Sequence, residues 1–343
     1  MSRAATRPLV IAHRGASGHL PEHTLAGYAL AMLQGADFIE PDLVSTRDGV
    51  LVARHENEIG GTTDVAAHEE FAARRRTQMV DGEAVTGWFT EDFTLAELRT
   101  LRARERLPAL RPQNARHDGE FGIPTFEEIL VLLSQVNAAR RAQGAPLVGV
   151  YPETKHPSHF RGLGLPLEPL LLDALARLGE GAPVFIQSFE VGNLEALHAA
   201  GCVHPLVQLM QVEGGPWDKR GGGQFSSYAQ LSTPEGLRQV ARHARAIGVQ
   251  KEMVMTAGGA PAVATALVRD AHDAGLAVHV WTFRAENHFL PVDLRRGSEP
   301  QEHGDLAAEI RAFVSVGIDG LFSDFPDLAC LALANDSARM TKP

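Results

Sequence analysis

Leu9-Val10-Ile11-Ala12-His13, then Thr24-Leu25-Ala26-Gly27-Tyr28-Ala29-Leu30-Ala31-Met32-Leu33-Gln34, then Phe38-Ile39-Glu40-Pro41-Asp42-Leu43-Val44, is the stretch that decides the fold. The first run is short and apolar, and the third is apolar at both ends around Glu40-Pro41-Asp42, as buried strands are. The middle run carries good helix formers behind a Thr that can cap it. A strand, a helix and a second strand in this order make a parallel pair joined by a crossover.

The alternation continues along the chain. Further strand candidates are Val50–His55, Leu147–Glu153, Val184–Phe189, Leu206–Met210, Val249–Met255, Val278–Phe283 and Gly320–Ser323. Helical patterns occupy Thr125–Gln143, Leu167–Leu178, Asn193–Ala200, Pro234–Ala246, Pro261–Ala274 and Asp305–Val316. Thr94 with Glu97, and Thr125 with Glu128, have capping-box spacing. Thr233-Pro234 places a cap before a proline at the first helical position. Nine strands are one too many for an eight-stranded barrel. Val50–His55 therefore reads as an antiparallel return across the Asp48-Gly49 turn, and Val249–Met255 as a strand or an irregular segment. The expected fold is α/β: a (β/α)8 TIM barrel, with 1–343 a single domain. An open doubly wound sheet is the alternative, but no Gly-x-Gly-x-x-Gly follows the first strand. Glu56–Gly122 breaks the alternation and is mostly polar, with Arg74-Arg75-Arg76 and Trp88-Phe89. It reads as a subdomain, 56–122, inserted after the early strands as a cap. Gln211–Ser232 is a second, Gly-rich excursion.

Composition narrows the partners. Of 343 residues, 44% are hydrophobic and 22% charged, enough apolar residue for a large core. The net charge of -10 disfavours nucleic acid and anionic membranes at long range. Two cysteines, Cys202 and Cys330, provide no disulfide framework. No apolar run has the length of a secretory core or a membrane span. The compartment is then cytoplasmic, or an export signal has been removed; the oligomeric state is left open.

Polar residues gather at the carboxyl ends of the strand candidates, where the active sites of such barrels lie. Residues i and i+2 of a strand share a face, so Glu40 and Asp42 point the same way. Two close carboxylates repel, and a divalent cation, Ca2+ or Mg2+, relieves this with oxygen ligands. Glu153, on another strand, can supply a third ligand. Alternatively, the pair faces solvent or meets arginines. His13 and His55 are candidate proton carriers. Arg14 and Lys155 are candidate anion contacts, or salt-bridge partners of the carboxylates. Gln187 and Trp281 lie at later strands, where Trp281 could wall a pocket, and Asp324 follows the last strand. Such a set fits phosphoryl chemistry. The phosphate loop of nucleotide hydrolases and the Gly-x-Ser-x-Gly elbow of serine hydrolases are both missing.

His13-Arg14-Gly15-Ala16-Ser17-Gly18-His19-Leu20-Pro21-Glu22-His23-Thr24 resembles the opening motif of glycerophosphodiester phosphodiesterases. Glu40-Pro41-Asp42-Leu43 with Asp48-Gly49 and His55, then Tyr151-Pro152-Glu153-Thr154-Lys155, resemble the next blocks. Gln187-Ser188-Phe189, Trp281-Thr282 and Phe322-Ser323-Asp324-Phe325-Pro326 follow in the family's order. The resemblance implies hydrolysis of a glycerophosphodiester, a small-molecule substrate, to sn-glycerol 3-phosphate and an alcohol. It implies metal ligands at Glu40, Asp42 and Glu153, an acid and a base at His13 and His55, and phosphate contacts at Arg14 and Lys155. The long form resembles the periplasmic branch, which often uses Ca2+, while others use Mg2+. Glu56 departs from the Asp that commonly follows the second histidine. Two rivals remain: a phospholipase-D-like or phosphoinositide-lyase-like barrel acting on a lipid, and a non-catalytic barrel that binds phosphodiesters.

Overall fold

The computed structural model describes residues 7–178, 181–223, 225–256 and 263–340. Its strands are β1 (Leu9–His13), β2 (Phe38–Glu40), β3 (Asp42–Ser45), β4 (Leu51–Ala53), β5 (Arg76–Val80), β6 (Glu83–Gly87), β7 (Gly149–Val150), β8 (Glu153–Thr154), β9 (Ile186–Ser188), β10 (Leu206–Met210), β11 (Ala246–Gln250), β12 (Ala277–Phe283) and β13 (Gly320–Ser323). Eleven of them form one curled sheet in the order β4-β3-β8-β9-β10-β11-β12-β13-β1-β2-β7, and the fold is an α/β barrel. All pairings in this sheet are parallel except β3 with β4, the antiparallel return across Asp48-Gly49. Gly49, at φ +75, takes the left-handed conformation this turn needs.

Two prolines break strands where chemistry is needed. Pro41 separates β2 from β3, and Pro152 separates β7 from β8. Neither has an N–H for the ladder, but both carbonyls still accept, from the N–H groups of Glu153 and Gln187 at 2.9 Å. The ladder thus keeps its register: His13 lies opposite Glu40, Asp42 opposite Glu153, and Glu153 opposite Gln187.

The period of two along a strand divides the core. Ile11 joins Phe38, Tyr151, Val207, Ala246 and Phe322 in one buried cluster. Val10 and Ala12 join the larger cluster that includes the helical residues Tyr28, Leu133, Leu171 and Leu194. The helix Phe126–Ala142 shows why these elements form. Thr125 and Glu128 close the capping box at its start, and Ile129, Leu130 and Leu133 bury one face. Near its end, the Asn137 amide binds both the N–H and the carbonyl of Val148, each at 2.8 Å. That fixes the helix against the entry to β7.

Residues 56–122 contain the hairpin β5–β6, which is a separate two-stranded sheet. They also hold the short helix Leu95–Leu98, with its Thr94/Glu97 box, and several 3-10 turns. Asp81 and Gly82 both have positive φ, the two-residue turn that matches strand twist.

Several boundaries differ from expectation. The strand near Val249–Met255 is Ala246–Gln250, followed by the short helix Lys251–Val254. Correspondingly, the helix expected over Pro234–Ala246 stops at Val240. The Ala/Arg-rich run 241–246 has helical propensity, but Ala246, Ile247 and Val249 are wholly buried between neighbouring strands, and packing overrides propensity. Pro261, the expected start of Pro261–Ala274, lies outside the described residues; the helix there is Leu267–Asp273.

Candidate active site

Glu40, Asp42 and Glu153 are buried, and each offers an oxygen within 4.8 Å of the others'. Their grouping follows from the register across the two proline breaks. Glu40 Oε2 accepts the backbone N–H of Arg14 at 2.8 Å, and Oε1 accepts from the Gln187 amide at 3.0 Å. Asp42 Oδ2 accepts from His23 Nε2 at 2.9 Å and lies 3.3 Å from Arg14 Nε. Glu153 Oε1 lies 3.0 Å from Lys155 Nζ. Burial and the charges of Asp42 and Glu153 push the Glu40 carboxyl well above its usual range. Burial pushes Glu153 up to about 8, against the pull of Lys155. Asp42 stays well below: burial would raise it, but the His23 hydrogen bond and nearby cations prevail. The cluster is short of positive charge. A divalent cation with oxygen ligands would allow all three groups to ionise, so the donor set fits such an ion.

Both histidines are present, each with a carboxylate at Nδ1. His13 Nδ1 donates to Asp324 Oδ1 at 2.6 Å. His55 Nδ1 donates to Glu56 Oε1 at 2.8 Å. A carboxylate can only accept, so Nδ1 carries the proton in both and Nε2 keeps its lone pair. Lys155 Nζ sits 3.5 Å from His55 Nε2. Burial, with Arg14 nearby, pulls His13 down to about 4. Burial, Arg14 and Lys155 also pull His55 below the ordinary imidazole range, in a side chain still 27% exposed to screening solvent. Both are neutral near pH 7.

His13, Arg14, Glu40, His55, Glu153, Lys155, Gln187 and Trp281 line one cavity of about 460 Å³. Asp42 is not among its lining residues but belongs to the acidic cluster. Arg14 is less free than a pure phosphate contact would be: Nη1 donates to Glu22 at 3.0 Å. Its φ of +60 turns the chain sharply at the end of β1 and aims its N–H at Glu40. Gln187 Oε1 and Trp281 Nε1 are buried without hydrogen-bond partners among the described residues.

Several contributors escaped the sequence. His23, wholly buried, bridges Asp42 and the Tyr28 hydroxyl; its place in the opening motif was the available signal. His156 binds Glu56 Oε2 at 2.8 Å and Asp81 Oδ2 at 2.6 Å through its two nitrogens. Arg111, Arg284 and Glu286 have no local motif. Asp324 lies at a strand end and in the last of the family-like blocks, but neither signal pairs it with His13.

The sequence profile of the glycerophosphoryl diester phosphodiesterase family matches residues 13–328. The chain belongs to that family. Membership makes it a phosphodiesterase, the enzyme class that the opening motif implied. Glycerophosphodiester phosphodiesterase GDPD6 of Arabidopsis thaliana is 34% identical over 337 residues, covering 93% of this chain and 84% of the relative. Glycerophosphodiester phosphodiesterase of Haemophilus influenzae is 29% identical, covering 93% and 88%. The fold matches the crystal structure of a glycerophosphoryl diester phosphodiesterase from Silicibacter pomeroyi, with a TM-score of 0.66 at 22% identity, over 97% of this chain and 96% of that one. A phosphodiesterase of Oleispira antarctica, solved with the product sn-glycerol-3-phosphate, matches with a TM-score of 0.61 at 20% identity, over 96% and 97%. No helix among the described residues is long and apolar enough to cross a membrane.

Proposed function

We propose that the chain hydrolyses glycerophosphodiesters to sn-glycerol 3-phosphate and an alcohol, with His13 and His55 as the acid–base pair and Glu40, Asp42 and Glu153 holding one divalent cation, Ca2+ or Mg2+. The observation that carries this is the convergence on one cavity of two imidazoles, each with Nδ1 on a carboxylate and an unprotonated Nε2, the one on His55 facing Lys155 Nζ, beside the acidic cluster. When bound, such an ion supplies positive charge to the phosphoryl oxygens. Arg14 and Lys155 add to that charge. Trp281 Nε1 and Gln187 Oε1, left without partners, suit the glycerol hydroxyls as donor and acceptor.

The glycerol 2-hydroxyl attacks phosphorus and gives its proton to Nε2 of one histidine. The other histidine protonates the departing alcohol oxygen, leaving a cyclic phosphate. Water then opens the ring with the two roles reversed. Both imidazoles are neutral in the bare chain, so the acid takes up its proton as the anionic diester arrives and raises its affinity for one.

The parallel segments together make a (β/α)8 barrel, with 56–122 as a cap beside its mouth. The hairpin β5–β6 supplies Val80, Asp81 and Val85 to a second cavity of about 510 Å³. That cavity shares Glu56, Glu153, Lys155, Phe189 and Gln211 with the first. In this scheme the departing alcohol lies there.

The test is turnover of glycerophosphocholine, glycerophosphoethanolamine and glycerophosphoglycerol with Ca2+, with Mg2+ and with chelator. Release of sn-glycerol 3-phosphate that disappears on chelation is expected. Full activity in metal-free, chelated protein would overturn the metal assignment, and a stable cyclic phosphate as final product would favour a lyase-like enzyme.

A further inference from the structure

Arg111 lies in the inserted segment, far along the chain from the proposed histidines, yet its side chain is only 4% exposed. Each arm of its guanidinium reaches a different loop. Nε donates to Glu286 Oε1 at 2.6 Å, Nη1 to the Ser17 carbonyl at 2.9 Å, and Nη2 to Asp324 Oδ2 at 2.6 Å. These three acceptors follow β12, β1 and β13. Asp324 is the carboxylate that holds His13 Nδ1, and Ser17 Oγ donates to the His13 carbonyl at 2.8 Å. Arg111 therefore grips His13 from both sides, through its side-chain partner and through the loop that leaves it. Asn114, from the same segment, also donates to the Ser17 carbonyl, at 3.0 Å.

Burying a guanidinium with two carboxylates is a costly way to gain stability, because apolar packing of similar volume does as well or better. What such a cluster supplies is fixed geometry. Asp324 is shared: Arg284 Nε donates to Oδ2 at 2.8 Å, beside Arg111 Nη2. With Oδ2 doubly occupied by cations, Oδ1 is the oxygen left for His13. The planar fork of Arg111 sets which way that carboxylate faces.

We infer that Arg111 is a positioning residue for the phosphodiesterase reaction: the inserted segment sets the orientation and tautomer of His13 by clamping Asp324 and Ser17. This rests on the proton-transfer role proposed for His13. The segment thereby becomes part of the catalytic apparatus, whatever it does for the alcohol.

The experiment is a double-mutant cycle in the full chain with its divalent cation, using Arg111→Met, Arg111→Lys, His13→Ala and the two combinations. Folding is checked by circular dichroism. In otherwise wild-type protein, Arg111→Met should lower kcat by about 10- to 100-fold with KM changed less than about threefold. Arg111→Lys should recover only part of this, since an ammonium cannot span three acceptors in one plane. In the His13→Ala background, Arg111→Met should change the residual rate by less than about threefold, because there is no imidazole left to position. Nitrogen-15 NMR of the His13 ring should show a single tautomer in wild type and a mixture in Arg111→Met. Equal losses in both backgrounds, or an unchanged kcat in folded Arg111→Met, would overturn the inference while leaving the role of His13 intact. Should Arg111→Met not fold, Arg111→Lys carries the same cycle. Near-wild-type turnover by His13→Ala would overturn the proposed function and this inference together.

Discussion

The two histidines face one cavity from supports of different construction. His13 leans on Asp324, which is 311 positions away in sequence, almost fully buried, and bound by Arg111 and Arg284. His55 leans on its own neighbour, Glu56, whose side chain is 47% exposed and is held in turn by His156. The same device, a carboxylate at Nδ1, is built once from the far ends of the fold and once from adjacent residues. Asp324 is locked: burial would raise it, but Arg284, Arg111 and His13 hold it well below the usual carboxylate range. Glu56 is also held down, against burial, by hydrogen bonds from His156 and His55, but water has access to it. A support locked by buried partners tolerates no substitution, while one that shares its work with solvent tolerates some.

The contrast makes unequal predictions. Asp324→Asn should have the largest effect, a fall in kcat of about 10²–10⁴, since the wrong tautomer of His13 becomes available and Arg111 and Arg284 lose the carboxylate they share. Glu56→Gln should cost only about 10-fold in kcat, because water and Lys155 remain near His55 to limit the damage. Steady-state kinetics on one diester measures both, and equal losses would erase the distinction between the two supports. The smallest expected effect is on stability. Burial would lower His156, but its hydrogen bonds to Asp81 and Glu56 prevail and push it up to about 9. Its folded value lies above its unfolded value of about 6.5, so its contribution is complete below pH 6.5 and is lost as pH rises through 9. Stability should decline by on the order of 2 kcal/mol across that window in wild type and less steeply in His156→Gln. Thermal melts from pH 6 to 9.5 make the comparison; parallel slopes would mean that His156 is not bound as a cation.

The same contrast explains what could be read in advance. Leu9–His13, Leu206–Met210 and Gly320–Ser323 are legible because a strand buried on both faces is mostly apolar, with few polar breaks such as Gln208. The capping boxes at Thr94 and Thr125 were plain because they are local chemistry. The strand Ala246–Gln250 was misplaced, since its alanine-rich entrance resembles a helix until its neighbours bury it. In the site, Glu40 and Asp42 could be paired from spacing, and Glu153 from its strand end. Arg111 could not: it is one of many arginines in a polar stretch, and its partners come from three other loops. Nor could His156, whose second partner Asp81 lies in the turn between β5 and β6. Contacts made across the fold leave no spacing to read.

The most direct test of the central claim, that His13 and His55 are the two proton carriers, is single-turnover hydrolysis of glycerophosphocholine by the folded His13→Ala and His55→Ala variants, followed by phosphorus NMR. Each variant should form sn-glycerol 3-phosphate at least about 10²-fold more slowly than wild type while still binding substrate and the divalent cation. A near-wild-type rate in either variant would contradict the account, since the imidazole removed would then carry no proton in the reaction.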